Sequence, residues 1–470
     1  MRNTATRFLA SFLAAAALAG CGGSDGDGPG LTFVRVVNTV PDSPSLSVSA
    51  DTYLLTMGLP YNTVSGFSID SFDGDRARRE LTVQPVLPGR TFGDAVLQAP
   101  VTFSRDTEST LVLTGALQDM DVLVVETPRR RRPLANVYMQ FAHAATGVGA
   151  LDVYVTAPGV DLASTAPLYT VAPRGSTQSV QVPFEDFVIR MTRAGTLDVV
   201  FESATVELND NEEVTTDGSE FLMVVVDTLT PGASPVKVLA GTAQGGSILF
   251  PDVNGLSGLR VVHASPDTPA FDAVVGDNFA SPIGTGLAYK DASAMAGVAS
   301  GLVNLNFTVP GSTTEFVFEE EVELAPDNDH TLWLLDEYEN LQAVVGPTDR
   351  RSISTEAKVR LVHAAPDGDF FSLYLGETAQ DPPDRDDRTF IDVRFGTATL
   401  YLSVLPDDYK LTLTERFYTP GDRPDDAEET ITIGPLDISL QGGDVITLLV
   451  LPPETPGGPE VLEIYDDTAM

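Results

Sequence analysis

Val303, Leu305, Phe307 and Val309 alternate with Asn304, Asn306 and Thr308, a period of two that predicts a strand with one wet face. Tyr409 to Thr414 and Val199 to Leu208 follow the same rhythm. Denser apolar runs recur at Thr110 to Thr114, Val122 to Val125, Phe221 to Val226, Thr331 to Leu335 and Val445 to Leu451. Clusters of Gly, Pro, Asn and Asp interrupt these runs at short intervals, as turns require. Beyond the N-terminal segment no long stretch keeps a helical period. The pattern predicts an all-β chain.

One pattern is written four times without gaps. It reads V-R-V-V-N-T-V-P-D-S-P-S-L-S at 34–47, M-Q-F-A-H-A-A-T-G-V-G-A-L-D at 139–152, L-R-V-V-H-A-S-P-D-T-P-A-F-D at 259–272, and V-R-L-V-H-A-A-P-D-G-D-F-F-S at 359–372. A chain of 470 residues is too long for one core. Its copies begin about 100 to 120 residues apart, too far for a solenoid unit and right for a β-sandwich. The expectation is four tandem immunoglobulin-like β-sandwiches at 31–128, 134–250, 256–350 and 356–470. The linkers are P-R-R-R-R-P (Pro128 to Pro133), Gln244 to Gly258, and Asp349 to Ala357. Set end to end, with strands of about 30 to 35 Å, four such domains would form a rod on the order of 130 Å long.

Three of the four histidines, His143, His263 and His363, share one position of this pattern, and Asn38 takes it in the first copy. Strand parity puts them at the end of the more apolar stripe, with Leu259 and Val261, Met139 and Phe141, Val359 and Leu361, or Val34 and Val36. Arg260 and Val262 take the other face. A neutral imidazole there can donate to a turn carbonyl while its ring packs, and asparagine can replace it as a hydrogen-bonder. The turn that follows carries Asp42, Asp267 and Asp367, which suit bonds to nearby backbone amides. Nine positions after the histidine stand Asp152 and Asp272, with Ser47 and Ser372 in the other copies. A carboxylate there could orient the ring across the hairpin, but no nucleophile repeats with it. The signature residues therefore read as structural.

The repeated strand, histidine and Pro-Asp turn resemble the V-R-x-x-H-A-x-P-D signature of the family called domain of unknown function 4397. The third and fourth copies carry both the histidine and the turn, the second has Thr146-Gly147 in place of Pro-Asp, and the first has Asn38 in place of histidine. The resemblance implies an Ig-like sandwich and a place in the cell envelope. It implies no activity.

The N-terminus gives an address. Arg2 and Arg7 precede a short apolar run, Phe8 to Gly20, which reads as an export signal over residues 1–20. Leu18, Ala19 and Gly20 precede Cys21, the only cysteine, and L-A-G-C resembles the lipobox of bacterial lipoproteins. That resemblance implies a mature chain anchored to a membrane through lipid on Cys21, with residues 21–30 as a flexible tether. By resemblance to enterobacterial lipoprotein sorting, Gly22 rather than Asp after the cysteine implies the outer membrane where the host has two membranes. With its thiol committed to lipid, the chain has no disulfides and depends on full-sized cores.

Charge and motif searches then exclude more than they assign. With 28 basic and 67 acidic residues the formal charge is −39, which excludes non-specific binding to nucleic acid. Calcium is the sharper alternative to a merely solubilising surface. Neither acidic stretch, Asp381 to Asp387 or Asp425 to Glu429, has the spacing of a calcium loop. G-x-S-x-G, H-E-x-x-H and C-x-x-C are absent, so no catalytic residue, metal or cofactor is assigned. His330 in P-D-N-D-H reads as a turn residue. The expectation is a non-enzymatic envelope protein that binds, adheres or scaffolds, with an unknown protein or glycan partner. The rival is a substrate-capture or hydrolytic lipoprotein with a site at a domain junction. A deep pocket where polar groups from different copies converge would favour that rival.

Overall fold

The computed structural model describes residues 29–129, 137–182, 186–207, 220–232, 234–242, 246–376, 387–416, 429–452 and 461–467. Each repeat folds into two facing sheets, so the chain is all-β and built of sandwiches. The opening strands are Gly30–Asn38, Val137–His143, Leu256–His263 and Ala357–His363. Each lies parallel to a late strand of its own repeat: Thr107–Ala116, Glu220–Asp227, Asp329–Leu335 or Val445–Leu451. A parallel pair needs a long crossover, and here the crossover is the other sheet. That sheet starts at Leu46–Ala50, Leu151–Thr156, Phe271–Val275 or Phe370–Gly376 and pairs only antiparallel.

Parity along the opening hairpin sorts residues as the alternation requires. Val34, Val36, Leu46 and Val48 enter the first core; Met139, Phe141, Leu151 and Val153 the second. Leu259, Val261, Phe271 and Ala273 enter the third, and Val359, Leu361, Phe371 and Leu373 the fourth. Gly301–Thr308 is the alternating strand of the third repeat, and Val309 beyond its end is exposed. Val199 begins a strand that ends early, at Glu202. His330 is the second residue of the strand Asp329–Leu335 rather than a turn residue, because Leu259 on the opening strand pairs with it.

The opposite face of the same sheets is dry as well. Val37, Val112, Val125, Ala142, Leu222 and Val224 form one apolar cluster that joins the first sandwich to the second. Val262, Trp333, Leu335, Val362, Leu449 and Leu451 form another that joins the third to the fourth. The rod is therefore corrected: the sandwiches pack sheet against sheet in two pairs. The cause is legible in runs such as Phe221 to Val226, where apolar side chains project to both sides and a single core cannot bury both.

Polar contacts fix each pair. Arg35 donates through Nε to Thr110 Oγ1 at 2.9 Å and through Nη1 to the Thr242 carbonyl at 2.5 Å, and Thr114 Oγ1 donates to the Ala144 carbonyl. Of the linker's four arginines only Arg129 is described, and its guanidinium lies 3.8 Å from the Phe33 ring centroid. Between the third and fourth sandwiches, Arg260 and Arg360 both reach the buried carboxylate of Asp467.

Candidate functional site

The signature histidines are fully buried. In the third repeat the Ser265 amide donates to His263 Nδ1 at 3.4 Å, which leaves the proton on Nε2 to face the Thr268 carbonyl at 3.2 Å. His143 Nε2 meets the Gly149 carbonyl at 2.9 Å, and the Ala365 amide donates to His363 Nδ1 at 3.3 Å. Asn38 reproduces the arrangement: its Oδ1 accepts from the Val40 amide and its Nδ2 donates to the Leu59 carbonyl and to Ser43 Oγ. His263 stacks on Phe271 at 4.7 Å, and His363 meets Phe371 edge-on at 4.5 Å. Burial pushes all three imidazoles down, His363 to about 4. These are neutral rings that close a hairpin.

The aspartates serve the same turn. Asp42 accepts from the Leu117 amide at 2.8 Å and Asp267 from the Tyr338 amide at 2.9 Å, each tying the turn to the loop after the late strand. The second repeat inverts the bond: Asp227, at the end of the late strand, accepts from the Thr146 and Gly147 amides. Asp367 occupies the equivalent turn of the fourth repeat. A cross-hairpin carboxylate for the histidine is corrected by the geometry. Asp152 accepts from Thr170 Oγ1 and the Gly195 amide, and Asp272 from the Gly286 and Gly311 amides, so both carboxylates are spent on neighbouring turns. Leu18, Ala19, Gly20 and Cys21 lie outside the described residues, as do residues 381–386 and 425–428 of the acidic stretches. Among the described residues no group of three His, Cys, Asp or Glu side chains gathers as a metal site would need.

A different place brings chemistry together. Where the two pairs of sandwiches meet, a cavity of about 540 Å³ opens between Pro41 and Tyr61 of the first repeat, Leu229, Thr230, Lys237 and Leu249 of the second, Asp327 and Asp329 of the third, and the linker residues Asp349 to Ser352. Arg351 crosses the junction, its guanidinium 4.9 Å from the Tyr61 ring centroid.

Most of its charges satisfy one another. Arg350 Nε donates to Asp329 Oδ2 at 2.8 Å. Arg351 grips Asp349 through two nitrogens, at 2.8 and 2.9 Å, and Lys358 Nζ stands 3.0 Å from the same carboxylate. Burial alone would raise Asp349, but Arg351 and Lys358 hold it at about 2. Burial pushes Lys358 the other way, down to about 8, against the pull of Asp349.

Four side chains are not fully satisfied. The Lys237 side chain is buried and its ammonium makes no hydrogen bond or ion pair among the described residues; burial lowers its pKa despite the attraction of Asp327 and Asp329. Asp327 is buried with its carboxylate oxygens sealed from solvent and no side-chain partner; burial raises its pKa, opposed by Lys237 and by the backbone at Asp252. Thr230 Oγ1 and Asp329 Oδ1 are also buried without partners. Unsatisfied buried polar atoms are rare enough in folded proteins that each calls for a reason. Glycines make the room: a Cβ on Gly255 would lie 2.9 Å from Asp327 Oδ1, and one on Gly258 would overlap Asp329 Oδ1.

Sequence reasoning missed these residues because they are distant in the chain and belong to no motif. One signal was available: Lys237 sits inside the apolar strand Val236–Gly241, where a lone lysine is out of character.

A family model described as "Domain of unknown function (DUF4397)" matches residues 32–154 and 257–374. Among solved structures, the chain is similar to "The Bacillus anthracis TIE protein" at 11% identity, covering 90% of this chain and 68% of that one, with a TM-score of 0.15. It is also similar to "Product complex of a multi-modular glycogen-degrading pneumococcal virulence factor SpuA" at 6% identity, covering 84% and 37%, with a TM-score of 0.16. No curated protein matches.

Proposed function

Because the chain belongs to the DUF4397 family, for which the family itself names no activity, we propose that it is a non-enzymatic, lipid-anchored binding protein of the cell envelope whose ligand site is the junction cavity. The observation that carries this reading is a cavity of about 540 Å³ lined by residues of the first three repeats and of the linker before the fourth, with apolar walls at Pro41, Leu229, Leu249 and Pro347 and the charged residues Lys237, Asp329 and Arg350 around it. Its volume lies within the range of roughly 300 to 1,000 Å³ usual for small-molecule sites. A binding role rather than catalysis is favoured because the repeated histidines are sealed in hairpins and spent on backbone bonds.

The binding reading is tested with the mature protein and a small-molecule extract of the envelope, by native mass spectrometry. The parent protein is expected to retain a bound solute that a Thr230→Trp variant, which fills the cavity, does not. Parent and variant retaining the same solute, or neither retaining any, would refute the assignment.

The anchor is supported by the position of L-A-G-C directly after an apolar run. Cys21→Ala is expected to move the protein from the membrane fraction to the soluble fraction, since one lost anchor removes the only lipid. Membrane retention of that variant counts against it.

A further inference from the structure

The protein contains four lysines, Lys237, Lys290, Lys358 and Lys410. Three have partners. Lys358 Nζ stands 3.0 Å from the Asp349 carboxylate and donates to the Asp349 carbonyl at 2.6 Å, Lys410 Nζ pairs with Asp437, and Lys290 Nζ lies 5.6 Å from the Tyr289 ring centroid. Lys237 makes no hydrogen bond, ion pair or ring contact among the described residues, and it alone of the four lines the junction cavity. On its strand Val236, Val238 and Ala240 enter the second core, so Lys237 projects from the opposite face with Leu239, which joins the apolar cluster shared with the first sandwich. The residue is 5% exposed, yet its Nζ is not sealed as the Asp327 carboxylate and Thr230 Oγ1 are.

The other charges around the cavity are Asp42, Asp327, Asp329, Asp349, Arg350 and Arg351. Arg350 pairs with Asp329 and Arg351 with Asp349, while Asp42 accepts from the Leu117 amide. Asp327 and Asp329 attract a proton to Lys237, but burial outweighs them and lowers its pKa. This setting decides between two uses of a lysine. An ammonium that held an anion would draw negative charge towards Asp42 and Asp327, which pair with no arginine or lysine among the described residues. A free amine needs no counter-charge and is a nucleophile, and desolvated lysines are those that form imines with carbonyl compounds. Apolar walls at Pro41, Leu229, Leu249 and Pro347 suit a hydrocarbon tail, and an aldehyde is the least hindered carbonyl acceptor.

We propose that the junction cavity captures apolar aldehydes, with Lys237 Nζ as the nucleophile that forms an imine. The inference rests on the reading of this cavity as the binding site. The Nζ lone pair adds to the carbonyl carbon to give a carbinolamine. The oxygen then leaves with both amine protons as one water, and a C=N bond replaces C=O. No oxidant or further reactant is consumed.

The test incubates the mature full chain near neutral pH with limiting hexanal and sodium cyanoborohydride. The reductant delivers hydride to the imine carbon and fixes the adduct as a secondary amine, and peptide mass mapping reads each lysine. Lys237 is expected to take up the hexyl group at least about tenfold faster than Lys290, Lys358 or Lys410. Accessibility alone predicts the reverse, because Lys237 is buried and Lys290 and Lys410 are half-buried. Lys237→Met should remove the fast adduct and leave the slow ones unchanged; the parent's own map carries the test if that variant does not fold. Labelling of Lys237 no faster than the other three overturns the proposal. If that happens while an envelope solute still binds and Thr230→Trp abolishes it, only the aldehyde assignment falls. If the solute fails as well, the cavity reading falls with it.

Discussion

Asp467→Ala is expected to destabilise the paired third and fourth sandwiches by about 3 to 5 kcal/mol, the usual cost of removing one partner from a buried ion pair. The carboxylate is fully buried and accepts from Arg260 Nη2, from Arg360 Nη2 at 3.2 Å, from Tyr401 Oη at 2.5 Å and from Thr447 Oγ1. Burial opposes its ionisation, but the two guanidiniums outweigh burial and hold its pKa below the usual carboxylate range. Arg360 is itself fully buried, its guanidinium 4.6 Å from the Trp333 ring centroid and 4.4 Å from that of Tyr401. Without Asp467 these two cations face each other across an apolar interface with no anion between them. Asp467→Asn keeps the acceptor and removes the charge, so it should fall between parent and alanine. The measurement is thermal unfolding followed as separate transitions, since a chain of several domains has no single unfolding free energy. A destabilisation of less than about 1 kcal/mol would mean that the apolar cluster alone holds the pair.

How much of this could be read in advance depends on the distance over which the cause acts. The opening hairpin was legible because its cause is local. Period-two alternation put Leu259 and Val261 inward, and the replacement of histidine by Asn38 pointed to hydrogen bonding rather than proton transfer; Asn38 makes such bonds through Oδ1 and Nδ2. The second dry face was half legible. Phe221 to Val226 has no wet side, yet that run alone does not say whether its outer face meets a helix, another sandwich or solvent. The signature arginines were assigned to the right face but not to an interface. Arg260 and Arg360 sit opposite the histidine stripe, and only their meeting at Asp467, more than one domain away in sequence for Arg260, shows that this face is an interface. The junction cavity was not legible at all. Lys237, Asp327 and Tyr61 become neighbours only after three sandwiches fold and two pairs dock, and no spacing rule spans such an assembly. The same argument explains why Asp152 misled: nine residues from a histidine it is near in sequence, but its carboxylate serves the Gly195 turn instead.

Acidification from neutrality should draw stability from the fourth sandwich through His363, which should account for about 3 kcal/mol of loss. Its ring is fully buried between Phe371 and Phe395, and burial lowers its pKa from 6.5 to about 4, weakly opposed by the backbone at Gly368 and Asp369. The unfolded chain therefore binds the proton first. The stabilising contribution is fully present above pH 6.5 and is lost as pH falls from 6.5 towards 4, each tenfold difference in proton affinity being worth about 1.4 kcal/mol. His143 and His263 are displaced in the same direction, so their losses fall in the same acid range and add to the first. Asp349 acts in a separate window: held at about 2 when folded, it withdraws stability only below about pH 4, as the unfolded carboxyl begins to protonate. Burial raises Asp327, Asp329 and Glu356 towards this window with the opposite sign and lowers His330 with the same sign, so the His363 contribution is read as the difference between parent and His363→Asn in denaturant titrations at several pH values between about 7 and 4.5. His363→Asn should fold, because Asn38 already makes the equivalent bonds in the first repeat. It should also remove the histidine share of the fourth domain's pH dependence across this window, where the parent loses most of that roughly 3 kcal/mol. A parent and variant with equal pH slopes would mean that the ring accepts its proton inside the fold, which requires an acceptor or water where the structure places two phenyl rings.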